Sequence, residues 1–213
     1  MNALDNLRIK ASLGTIALVW INVVLVCLAG LLVPQGISVF AALSSALVAG
    51  LSTAFWFGDR AGPTTRVVNS MALAVQVALL VYASAGSAYQ IDMHMYFFAA
   101  LAICAAWIDW RAIVAYAGLV AVHHLVLYVA MPAAVFPGQS DFSRVLLHAV
   151  ILVLQAGALI GLTGAVVRSF SAAETAARAS IDAHKEAADQ AEQARLARER
   201  ASVERAGFES ERE

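Results

Sequence analysis

Six apolar runs without an internal Lys or Arg, at 11–33, 37–57, 67–88, 90–108, 112–132 and 145–167, constrain this chain more than any other feature of it. A bilayer core takes about 20 apolar residues per helix, and backbone in lipid is satisfied only in helices or closed barrels. Runs of this length predict an all-α six-helix transmembrane bundle. The composition agrees: 61% of the 213 residues are hydrophobic, 14% are charged, and the mean hydropathy is +0.75. Soluble domains sit near 45–50% apolar and about 25% charged. Breakers fall between the runs, at Pro34-Gln35-Gly36, Gly58 to Arg66, Gly86-Ser87, Asp109-Trp110-Arg111 and Ala133 to Arg144 with Pro137-Gly138. The first run is too long for a signal-peptide core and no clean small-residue cleavage site follows, so it reads as a retained span. Cys27 and Cys104 lie inside apolar runs and read as small buried hydrophobes rather than a disulfide.

An even number of spans puts both termini on one side. Arg8, Lys10, Arg60, Arg66, Arg111 and Arg168 then share that side, against Arg144 on the other, and the positive-inside rule makes it cytoplasmic. Trp56, Trp107 and Trp110 fall at cytoplasmic ends and Tyr89 and Tyr128 near outer ends, as in an aromatic belt.

The net charge of -1 hides two regions, a lipid-soluble part at 1–168 and a polar tail at 169–213 that holds most of the charges. Neither is the basic surface a nucleic-acid binder needs. The tail lacks Pro and is rich in Ala, Glu, Arg and Gln, which favours one long cytoplasmic helix. Ala183, Ala187, Gln190, Ala194, Ala197, Ala201, Glu204 and Phe208 recur at heptad spacing, a weak seam for a homodimeric coiled coil. No phosphate-cradling glycine loop and no catalytic domain is present, and the helical pattern is still running at the last residue. The expectation is a non-enzymatic input module that feeds a signalling domain downstream.

Ionisable residues at membrane depth mark function by default. His94 opens the fourth run, His123 and His124 lie in the outer half of the fifth, and His148 lies near the start of the sixth. At about 1.5 Å per residue all four fall within roughly 5–15 Å of the outer boundary. One such histidine is ordinarily a packing element; four in one layer on three helices point to a bound transition metal, for which neutral imidazole is the commonest ligand. Iron, copper and zinc all fit. Asp92 is a further ligand or the partner that orients an imidazole. His123 and His124 point about 100° apart, so they do not face one point equally. Met93 and Met95 flank His94 as soft thioethers, with apolar packing as their ordinary role. Gln155 lies two turns below His148 on the same face.

The alternative is a b-type haem held by two of the histidines, with Ala121, Ala149 and Gly157 making room and Arg144 meeting a propionate. That leaves two imidazoles and Asp92 unexplained. A metal-dependent membrane enzyme would call for repeated histidine boxes, and His123-His124 is the only adjacent pair. A transporter stays open through Asn22, Asn69 and Gln76, although no discontinuous span is evident.

Asp92-Met93-His94-Met95-Tyr96-Phe97-Phe98, Asp109-Trp110-Arg111, His123-His124 and Arg144 to His148 resemble the six-helix membrane sensor segment at the N-termini of bacterial methyl-accepting chemotaxis proteins and of some diguanylate cyclases and histidine kinases. The likeness covers roughly residues 85–155. It implies a multi-pass protein of the bacterial inner membrane that senses a stimulus and drives an output domain. Relatives often carry a second histidine at position 96 and a glutamate at 155, where this chain has Tyr96 and Gln155; if those residues complete a second metal position in relatives, the resemblance implies a reduced or altered one here. Asp109, Trp110 and Arg111 occupy the cytoplasmic turn between two histidine-bearing runs, a place for signal coupling. Runs one to three read as scaffold or dimer surface.

Overall fold

The computed structural model describes residues 3–34, 36–131 and 142–210, with side chains to residue 203. Its helices are α1 (Ala3–Ala29), α2 (Val39–Gly58), α3 (Pro63–Ala83), α4 (Gln90–Cys104), α5 (Trp110–Ala130) and α6 (Phe142–Ser210), and no strand occurs among the described residues. The expected Pro137-Gly138 connection lies outside the described residues, as do the side chains of Glu204 and Phe208.

Local chemistry sets most of the ends. The Ser38 side chain accepts the Ala41 N–H at the start of α2, and Pro63 occupies the first turn of α3, where its missing N–H costs nothing. Gly36 and Gly86 take the positive φ their turns require. Gly30 lets the chain fold back on itself, since a Cβ there would stand 2.6 Å from the Cα of Ile37.

Five helices, α1, α2, α3, α5 and α6, are long and apolar enough to cross a membrane. The fourth run departs from expectation: α4 has 15 residues and then tightens into a 3-10 turn over Ala105–Trp107. Its rise is about 22 Å, with about 6 Å more from the turn. The third helix is also displaced, beginning at Pro63 and ending at Ala83 rather than spanning 67–88.

Two compact units divide the chain, 1–167 and 168–213. In the first, α3 is the centre, packed by α1, α2, α4 and α5. It takes that place although it carries Asn69, Ser70 and Gln76, all fully buried. Ser52 donates to Asn69, the Gln76 amide donates to the Ser45 carbonyl at 2.8 Å, and the Ser45 hydroxyl donates to the Gln76 carbonyl. The facing positions Ala41, Ser45, Ala49 and Ser52 are small, which lets the backbones approach. Each such polar pair adds about 0.6 kcal/mol in a membrane, so their main effect is to fix register. Apolar packing joins Leu73, Val77, Phe97, Leu101, Ile113 and Tyr116 between α3, α4 and α5.

In the second unit the described side chains from residue 175 onward are exposed. Neighbouring-turn contacts support the helix, with Arg195 reaching Glu192 at 2.9 Å and Glu199 at 3.8 Å.

Candidate metal centre

Helical periodicity on α4 and α5 brings His94 and His124 face to face. Both are 7% exposed, and their Nε2 atoms stand 3.4 Å apart. The His148 ring of α6 completes the group, with its centroid 5.4 Å from that of His94 and 5.9 Å from that of His124, stacked on the latter. Three imidazoles from three helices thus touch one another.

Two of them have assigned tautomers. His124 Nδ1 is 2.8 Å from the Val120 carbonyl and His148 Nδ1 is 2.8 Å from the Arg144 carbonyl. A carbonyl only accepts, so each Nδ1–H donates and, in the neutral ring, Nε2 carries the lone pair. This is the arrangement in which a metal-ligating histidine is held by its other nitrogen. The 3.4 Å separation is long for an N–H···N hydrogen bond, whose usual range is about 2.7–3.2 Å. It equals the edge of a tetrahedron with metal–imidazole bonds of about 2.0–2.1 Å. Among the described residues no group of three His, Cys, Asp or Glu side chains already stands around one metal position. The His94–His124 pair supplies one edge, and a third nitrogen needs His148 to turn inward.

A cavity of about 230 Å³ adjoins the three rings, walled by Phe97, Phe98, Val120, Leu152 and their neighbours. Among the described residues its lining carries no carboxylate and no cation.

The other expected site residues fall elsewhere. His123 contacts the rings of His124 and Phe97, at 5.4 and 5.9 Å, but lines a different cavity with Phe40 and Tyr82. Asp92 and Met95 are exposed. Met93 and Tyr96 pack against the clusters that hold Val26 and Leu80, towards α1 and α3. Gln155 donates to the Phe98 carbonyl at 2.9 Å, tying α6 to α4 rather than touching an imidazole. Arg144 contributes its carbonyl to His148, and its side chain is exposed.

Two features escaped the sequence. Phe97 sits edge-on to His94 and His124, both at 5.5 Å, and so walls both cavities. Nothing distinguishes it from other apolar residues in its run. The second is the clamp on the α4–α5 turn. Ile108 holds a left-handed conformation with φ 50, a genuine outlier for a β-branched residue. Arg8 of α1 donates to the carbonyls of Trp107 and Ile108, at 3.3 and 3.1 Å. Asp109 caps α5 by accepting the Arg111 N–H at 3.0 Å, and pairs with buried Arg66 of α3 at 3.2 Å. Trp110 is exposed with the Arg111 guanidinium 5.7 Å from its ring. The positive-inside count had registered Arg8 and Arg66 only as charges.

Against protein-family models, curated proteins and solved structures alike, the chain has no match.

Proposed function

We propose that this chain is a sensory input module of the bacterial inner membrane that binds a transition metal at His94, His124 and His148. In this reading α4 crosses the bilayer with the other five helices, both termini are cytoplasmic, and α6 carries the signal into a homodimeric tail and on to an output domain of the chemoreceptor type. The observation that carries it is the 3.4 Å edge between two Nε2 atoms, together with the carbonyl-held Nδ1–H groups of His124 and His148. The same edge argues against a haem between His94 and His124. The two rings already stand 3.4 Å apart at their Nε2 atoms, which leaves no room for a macrocycle between them.

His94, His124 and His148 would hold the metal, which would supply a positive charge at their nitrogens. The residues then do the rest: the Val120 and Arg144 carbonyls fix two rings, the apolar walls exclude water, and movement of His148 is movement of α6. Such a shift requires that the two packings differ in metal affinity. With Asp109 and Arg66 clamping the far turn of α4, the strain of closing the site falls on α6.

Elemental analysis of purified protein tests this. One equivalent of iron, copper or zinc per chain is expected, falling at least tenfold in His94→Ala, His124→Ala and His148→Ala and persisting in His123→Ala. Protein free of metal after metal-replete growth, or a Soret band in its spectrum, would refute the reading.

A further inference from the structure

The second histidine cavity is larger than the first, about 330 Å³, and lies among α2, α3, α4 and α5. Among the described residues its lining is apolar except for the imidazole of His123 and the phenol of Tyr82. Among the described residues His123 makes ring contacts only, to Phe97 and His124, and no hydrogen bond. An imidazole N–H facing apolar surroundings is unfavourable when it has no acceptor. It therefore asks for one from whatever fills the space.

Three aromatic rings shape that space. Phe40 and Tyr82 meet edge to face at 6.2 Å, and Phe97 forms the inner wall. Flat aromatic walls select a flat ring, through stacked or edge contacts. The volume is at the low end of ligand pockets, which run about 300–1,000 Å³, so it suits one substituted ring rather than a polycycle. Among the described residues no charged side chain lines it, which favours an uncharged ring over an ionic headgroup. Phe40 is 67% and Tyr82 37% exposed, so the aromatic edge of the cavity opens on the lipid-facing surface, where a long apolar tail can leave.

We infer that this cavity binds an uncharged, membrane-soluble ring compound with carbonyl oxygens, of the quinone class. His123 donates a hydrogen bond to one ring carbonyl, and the ring lies between Phe97 and the Phe40–Tyr82 pair. The inference is independent of the metal reading, because His123 stands outside the His94, His124 and His148 group. Phe97 nevertheless joins the two sites, so a ring pressed against one face of it bears on His94 and His124 at the other.

The test uses the full chain in phosphatidylcholine nanodiscs with decylubiquinone as the probe and empty nanodiscs as the control for partitioning. Saturable uptake of one equivalent above the control is expected. His123→Ala weakens it about tenfold, the worth of one hydrogen bond at the upper end of the usual range. Ala78→Phe, which places a large side chain in the cavity from α3, abolishes it, and this variant carries the test should His123→Ala fail to fold. His94→Ala keeps saturable uptake of the probe while losing metal, which separates the two sites. Uptake equal to empty discs, binding unchanged in Ala78→Phe, or displacement by dodecane as readily as by ubiquinone would overturn the inference, the last by marking an acyl-chain slot.

Discussion

At the scale of single residues, the Arg66–Asp109 pair shows how charge is tolerated at the edge of an apolar bundle. Its side chains are 9% and 8% exposed, so neither end is free to be solvated. Asn in place of Asp109 keeps an N-cap of similar strength and removes only the charge, leaving a guanidinium buried alone. The expected loss for Asp109→Asn is about 3–5 kcal/mol, read as a lower thermal midpoint in detergent, and Arg66→Met added to it restores most of the difference. Equal midpoints for the single and double variants would show that the cap, not the pair, matters. This arrangement was only half legible beforehand. Asp109 was visible as a boundary residue, but its partner is 43 positions earlier on α3, and nothing local in Ala105-Ala106-Trp107-Ile108 announces a stop. The end of α4 is imposed by Arg8 and Arg66 from other helices. In the same way four histidines at one depth could be read from spacing, whereas their division into a group of three and a lone His123 depends on how α5 is rotated against α4.

At the scale of elements, the turn between α1 and α2 and the body of α1 give opposite expectations for the same substitution. Gly30→Ala puts a methyl 2.6 Å from the backbone of Ile37, where no flexible side chain can yield. A cost of about 1–3 kcal/mol follows from overpacking. Gly14→Ala meets nothing within 4 Å and sits inside a helix, so it gains about 0.5–1 kcal/mol. Melting curves of the two variants beside the parent check both signs at once. Helix existence was legible from hydropathy alone for five helices, because length and apolarity are local. The central position of α3 was not, since runs one to three looked like scaffold or dimer surface. Its buried Asn69, Ser70 and Gln76 were the available signal, as polar side chains in a span face protein more than lipid.

At the scale of the whole molecule, the division at 167/168 separates a packed unit from a solvated helix. The described tail side chains from residue 175 onward are exposed, and the interactions among them lie within their own helix. Ending the chain after Ser171 is therefore expected to leave the thermal midpoint and the metal content of the remainder unchanged. A drop in either would mean that the tail stabilises the unit it follows. The composition shifts near the same place, at about residue 168, from apolar to charged and alanine-rich. The short α4 was harder to foresee, and it bears on the lipid itself. Fifteen residues and one tight turn rise about 28 Å, against a hydrocarbon layer of about 30 Å, and its neighbours on either side are full length. In the proposed six-span arrangement α4 would draw the two leaflets together around one flank of the bundle, so that bilayer thickness would become a load on the helix that carries His94. Each ångström of mismatch costs a fraction of a kcal/mol, and thicker, saturated membranes press hardest on that flank.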